Sequence, residues 1–151
     1  FCNGYSPSGS YTNSTTWNAS DKSANVTLGG GNLNTTWSSV VFGSVRSALS
    51  VSSGLWYYEV TINTLGLPLI GFTNSLQSLD LSGPNYRASY APSLGYIYGT
   101  SATPTFVATA TGGDVIGALY DEANTTVIFY KKGVALGSLT GSDVPTGPLF
   151  A

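Results

Sequence analysis

The side chains able to break bonds are few in this chain, and their spacing gives them little to work with. No histidine occurs among the 151 residues, which excludes histidine dyads and triads and His-ligated zinc. The single cysteine, Cys2, excludes an internal disulfide and any CxxC site. It reads as an inert thiol, or as one half of an intermolecular bridge. A glycosidase needs two carboxylates about 5–9.5 Å apart, one with a raised pKa. Of the seven acids, Glu59 falls in the middle of a strand-like run, and Asp121 and Glu122 fall in a turn. A Ser or Thr nucleophile needs a base, and none of Lys22, Lys131 and Lys132 stands in a Ser-x-x-Lys spacing. Calcium takes about six to eight oxygens; Asp121, Glu122 and Asn124 are too few to close a site. Gly29-Gly30-Gly31 and Gly112-Gly113-Asp114 lack the helix and the Gly-Lys-Ser of a phosphate loop. These residues predict no catalytic centre, no metal and no cofactor.

Recognition is the chemistry that remains. Five Lys and Arg against seven acids give a formal charge of −2. That excludes a phosphate-neutralising nucleic-acid binder and a polybasic membrane patch. No apolar run approaches the roughly 18 residues of a membrane span. Ten Tyr and three Trp are enough to fill a core and leave some rings outside. Tyr86, Arg87 and Tyr90 flank a long polar loop, Asn74 to Asn85, which carries Leu79 and Asp80. Aromatic rings beside an arginine anchor proteins well, and sugar rings stack on tyrosine. Tyr86, Arg87, Tyr90, Leu79 and Asp80 are therefore the candidate ligand-binding residues. Arg46 and Arg87 have a plainer alternative, as partners of carboxylates inside a loop network. Tyr86 and Tyr90 have one too, as filling for the end of the core.

The elements that must position these residues read as strands. Charged residues are 8% of the chain, against about 25% in ordinary soluble domains. Ser and Thr number 21 and 18, with 19 Gly; with few Lys, Glu and Ala, this is β-structure with many turns. Residues 1–16 have no apolar period and read as an arm or linker. From Trp17 onward, Asn25–Leu28 and Asn32–Trp37 surround a glycine turn and predict a hairpin. Val45 to Val51 alternates. Leu55 to Ile62 is the clearest strand, with Trp56, Tyr58, Val60 and Ile62 on one face. Leu67 to Thr73 reads as a buried strand entered through Pro68. Further pieces lie at Ser89-Tyr90, Gly95–Gly99, Pro104–Thr109, Asp114–Tyr120, Thr125–Tyr130, Val134–Leu139 and from Gly147. Ten or more short strands with no 3.6-residue periodicity predict an all-β sandwich without helix. With no Met, the chain reads as a processed chain or an excised domain. A length of 151 residues predicts one core that needs no disulfide staple.

Several of these stretches resemble one family. Ser53-Gly54-Leu55-Trp56-Tyr57-Tyr58-Glu59-Val60 resembles the "GKWYWEV" strand of SPRY domains, and Leu69-Ile70-Gly71-Phe72 resembles their "VGV" strand. Gly113 to Asp121 resembles "GDVIGVALD". Val127 to Val134 resembles "LSFYKNGV", and Pro148-Leu149-Phe150-Ala151 the start of "PLFPAV". The motifs keep their order over about residues 17–151. The opening, Trp17-Asn18-Ala19-Ser20-Asp21-Lys22 through Leu33, is similar to SPRY copies in bacteriophage tail and virion proteins, with Ala19 in place of Pro.

The resemblance implies a bent antiparallel β-sandwich of the concanavalin or jelly-roll kind, spanning residues 17–151. It implies no enzymatic activity, and a partner-binding face made of rim loops, among them Asn74–Asn85. A non-catalytic binding module of a virion or tail fibre follows, extracellular or virion-borne, contacting a host-surface protein or glycan. The alternatives are a decoration domain touching only other virion subunits and a fragment of a polysaccharide-degrading enzyme; a homo-oligomer is compatible with each. No nucleic-acid partner and no membrane insertion are expected. Should the source glycosylate, Asn13, Asn18, Asn25, Asn34 and Asn124 are acceptors by sequence, Asn124 foremost. One departure stands out. SPRY domains carry a further strand after "LFPAV", and its place is left to the arm, to another chain, or to sequence cut away.

Overall fold

The computed structural model describes residues 2–5, 15–37, 43–101 and 103–151. Its strands are β1 (Cys2–Tyr5), β2 (Trp17–Lys22), β3 (Val26–Gly29), β4 (Asn34–Trp37), β5 (Val45–Ser47), β6 (Ser50–Val51), β7 (Leu55–Thr61) and β8 (Ile70–Thr73). They continue with β9 (Arg87–Ala91), β10 (Tyr96–Tyr98), β11 (Thr105–Phe106), β12 (Val115–Asp121), β13 (Thr126–Lys131), β14 (Val134–Thr140) and β15 (Leu149–Phe150). A single 3-10 turn, Gly141–Asp143, is the one helical element among the described residues. All pairings are antiparallel. One sheet runs β1-β7-β12-β13-β14 and the other β11-β10-β9-β8-β15-β6. The all-β sandwich expected from the sequence is what the chain forms.

Period-2 alternation builds the core between the two sheets. Tyr58 from β7, Ile116, Ala118 and Tyr120 from β12, and Val127 and Phe129 from β13 form one inner face. Ile70 and Phe72 from β8, Ala88 and Tyr90 from β9, Ile97 and Leu149 form the other. Rings interlock across the layers: Tyr58 meets Phe72 edge-on at 5.4 Å, and Tyr90 tilts against Phe129 at 6.1 Å. Two of the buried tyrosines have an outlet for the hydroxyl. Tyr58 donates to the Gly71 carbonyl at 2.6 Å and Tyr90 to that of Ala108 at 2.7 Å. Gly71 is required where it stands, since a Cβ there would lie 2.0 Å from the Ala88 carbonyl oxygen of the neighbouring strand.

The hairpin around Gly29-Gly30-Gly31 forms as expected, as β3 and β4 with Gly29 opposite Asn34. Three runs are shorter than the sequence suggests, among them Pro104–Thr109, which gives only Thr105–Phe106. Val45 to Val51 is broken, because β5 pairs with β2 while β6 pairs with β15, so the chain changes sheets in between. Leu67 to Thr73 contributes only Ile70–Thr73 to a sheet. Pro68 has no N–H to give a ladder, and Leu67, Pro68 and Leu69 stand outside it. The edge of β7 is covered by the arm: Cys2 lies opposite Tyr58 and Tyr5 opposite Leu55.

Candidate functional site

The loop from Asn74 to Tyr86 has no secondary structure, yet it is tied at both ends. The Gln77 side-chain oxygen accepts the Tyr86 N–H at 2.8 Å, and the Asn74 amide donates to the Thr146 carbonyl at 3.1 Å. Asn85 donates to the Gly99 carbonyl at 2.6 Å. The Leu79 carbonyl takes the hydroxyls of Ser23 and Ser44 at 2.7 and 2.8 Å. Arg46 donates to the Gln77 carbonyl and pairs with Asp21 at 2.8 Å. Asp80 caps its own turn, accepting from Ser78 at 2.6 Å and from the Ser82 hydroxyl and N–H at 2.7 and 3.0 Å. Those bonds, Ser78's first, hold its pKa down to about 2. Leu79 and Asp80, both proposed from the sequence as ligand contacts, thus spend their polar groups on shaping the loop.

Period 2 divides the other three candidates. On β9, Ala88 and Tyr90 point into the sandwich, while Arg87, Ser89 and Ala91 share the outer face. Tyr90 is fully buried against Phe129 with its hydroxyl engaged, so it is core and out of a ligand's reach. Tyr86 is half-buried, with its N–H held by Gln77 and its carbonyl by Thr73. Arg87 lies in a groove of about 270 Å³ on the outer side of the six-stranded sheet.

Five segments wall that groove. Leu67, Pro68 and Leu69 come from the β7–β8 connection and Leu81 from the long loop. Arg87 and Ala91 come from β9, Ser93 and Leu94 from the β9–β10 turn, and Tyr98 from β10. Gly95 makes the turn possible: its φ is +74°, and a Cβ there would meet the Phe106 ring at 2.8 Å. Leu67 is 69% exposed and Leu94 49%, so the rim presents two leucines to solvent. The volume falls below the roughly 300–1,000 Å³ of small-molecule clefts; it suits side chains more than a cofactor.

The floor is polar and unfinished. The Nε of Arg87 and the hydroxyl of Ser93, both of groove-lining residues, are buried without a hydrogen-bond partner. Burial lowers the Arg87 pKa, with Tyr98 pulling the other way. Sequence reasoning found Arg87 but missed the leucines, Ser93 and Tyr98. The available signal was Pro68, which demotes an apolar run from strand to wall.

Elsewhere the acids are engaged. Glu59 accepts the Tyr57 hydroxyl at 2.7 Å, and Asp114 pairs with Lys132 at 2.7 Å. Asn124 lies exposed on the β12–β13 loop and donates to Asp121 at 2.7 Å; Asn13 lies outside the described residues. Among the described residues no three His, Cys, Asp or Glu gather as metal ligands.

No family model matches the sequence. Among curated proteins, the chain is 31% identical over 149 residues to a Ran-binding proteins 9/10 homolog of Drosophila melanogaster. That match takes in 86% of this chain and 15% of the length of that relative. Among solved structures, the chain is similar to the SPRY domain of human HERC1, with a TM-score of 0.71 and 18% identity over 89% of this chain and 86% of that one. It is also similar to the PSpry domain of TRIM65, with a TM-score of 0.70 and 14% identity over 90% of this chain and 83% of that one. Two bent antiparallel sheets, the strand order and these likenesses agree: the chain has the SPRY fold.

Proposed function

We propose that this chain is a SPRY domain acting as a non-catalytic binding module, and that it holds a partner protein in the groove around Arg87. The observation that carries the reading is the rim itself. Leu67 and Leu94 stand exposed on either side of a concave site whose base is a sheet and whose connecting loop is tied by side-chain hydrogen bonds. Exposed apolar walls on a rigid base suit recognition. Nothing in the reading requires bond-breaking, since Glu59, Asp80 and Asp114 are each occupied in hydrogen bonds or an ion pair.

The test is a selection of 12-residue displayed peptides on the immobilised chain. Peptides recovered on it should lose binding to Leu94→Asp and keep binding to Val134→Asp, a change of an exposed residue on the other sheet. Peptides indifferent to Leu94→Asp would remove the groove from the function.

The similarity of the Trp17–Lys22 opening to phage SPRY copies supports a particular setting: a virion or tail-fibre module outside the cell, meeting a host-surface molecule or another virion subunit. A second ligand class has its own observation. Tyr96 and Phe106 stack edge-on at 5.4 Å while 37% and 60% exposed, a platform suited to a sugar ring. Glycan-array binding lost on Phe106→Ala, with no peptide recovered, would favour the glycan over the protein partner.

A further inference from the structure

This inference rests on the groove reading above and names what the groove recognises. We propose that Arg87 is a receptor for a carboxylate: an Asp or Glu side chain of the partner protein seats on its guanidinium, between the leucine walls.

Charge bookkeeping across the whole chain leads there. All five cations and all seven acids lie within the described residues. Arg46 pairs with Asp21 at 2.8 Å and Lys132 with Asp114 at 2.7 Å. Lys22 donates to the Val26 carbonyl at 2.8 Å and Lys131 to the Thr109 carbonyl at 2.9 Å. The Arg87 side chain alone among the cations has neither an ion pair nor a hydrogen bond to any described residue, and its Nε is buried. An arginine stays charged in a protein, and a half-buried cation without a partner is costly. Such a cost persists where something outside the chain relieves it.

The surroundings favour a carboxylate as the relief. The guanidinium fork matches two carboxylate oxygens, and such pairs are among the stronger hydrogen bonds. Ser89 is 3% exposed and its hydroxyl has no partner; it stands on the same face of β9, next but one to Arg87. The Ser93 hydroxyl, on the groove wall, is likewise unused. Buried hydroxyls are normally satisfied, and that of Ser93, which lines the groove, can donate to an acceptor-only group. Burial of the Arg87 Nε keeps water from it, which strengthens the pairing. A phosphorylated residue fits less well, since dianionic phosphate is usually met by clustered arginines and this groove holds one cation.

The experiment uses peptides recovered from the selection on the intact chain. Their consensus should contain Asp or Glu. Each acidic peptide is then compared by calorimetry with its amide twin, Asp→Asn or Glu→Gln, on the unaltered chain and on Arg87→Gln. The amide twin should bind about 10–100-fold more weakly, as expected for a hydrogen bond to a charged group. Arg87→Gln should cost the acidic peptide a similar factor and leave the amide twin nearly unchanged, the coupling that a double-mutant cycle isolates. Addition of the acidic peptide should also shift the Arg87 Nε–H resonance.

Equal binding of acid and amide, with Leu94→Asp still disruptive, overturns the carboxylate and leaves the groove reading standing. A phosphoserine version that binds more tightly than the aspartate version also overturns it. Insensitivity to Leu94→Asp, or a selection that yields nothing, overturns both. The amide twin alters only the peptide, so the comparison holds whatever Arg87→Gln does to folding.

Discussion

Arg46 is 6% exposed, donates to Asp21 and to the Gln77 carbonyl, and lies 5.9 Å from the centre of the Phe150 ring. Arg87, half-buried on β9, has none of these partners. The two should respond oppositely to substitution. Arg46→Met removes the anchor of the long loop and leaves the Gln77 carbonyl buried without a donor, a loss of about 1–3 kcal/mol readable as a lower urea midpoint. Arg87→Gln removes an uncompensated cation and should leave stability unchanged or slightly raised. A fall of more than about 1 kcal/mol, a normal effect for a structural side chain, would make Arg87 part of the fold rather than of a binding site. Two carboxylates set the acid limit. Asp80, at about 2, and Asp114, lowered chiefly by its bond from Lys132, titrate below their unfolded values. The unfolded chain therefore takes up protons first, and stability from both groups, full above about pH 4, is lost as pH falls through their folded values. The thermal midpoint should drop between pH 4 and 2, less steeply in Asp80→Asn and Asp114→Asn; equal slopes would show these bonds to be idle.

Strands were legible where one face had to be apolar and the other polar. Leu55 to Ile62 has that alternation, and β7 places Tyr58 in the core as the pattern requires. The same rule, applied to β9, separates Arg87 from Tyr90, three positions apart and so on opposite faces; grouping them as one site ignored it. Leu67–Leu69 was illegible for another reason. An unbroken apolar run fits a buried strand and a groove wall equally well, and only tertiary packing decides. Arg87's solitude was equally hidden, because a missing partner is a fact about three dimensions. Of the four non-glycine residues with positive φ, one is β-branched: Thr125, at the β12–β13 hairpin, has φ +45°, a region that β-branched residues avoid. Thr125→Asn should stabilise the hairpin by about 0.5–1 kcal/mol, the scale of relieving a disfavoured backbone conformation. Thermal unfolding measures it, and a lower midpoint would mean that the side chain contributes more than the backbone loses.

At the scale of the molecule, the question is how two open sheets avoid pairing with strangers. The six-stranded sheet ends in β11 and β6, each two residues long, and short edges offer little to pair with. The five-stranded sheet has no such protection at β7, whose seven residues would stand open without β1. Four residues far from β7 in sequence therefore complete a sheet whose remaining strands, β12 to β14, come from the second half of the chain. That cover keeps the β7 edge from competing with the groove for partners, because a free strand edge recruits extended peptide indiscriminately. Gly4→Pro removes a ladder donor from β1 while keeping the chain length. It should lower the thermal midpoint and cause concentration-dependent self-association in sedimentation, while the Leu94-dependent peptides still bind. If Gly4→Pro stays monomeric with an unchanged midpoint, β1 does not protect this edge, and the sheet's solubility must come from side chains along β7 itself.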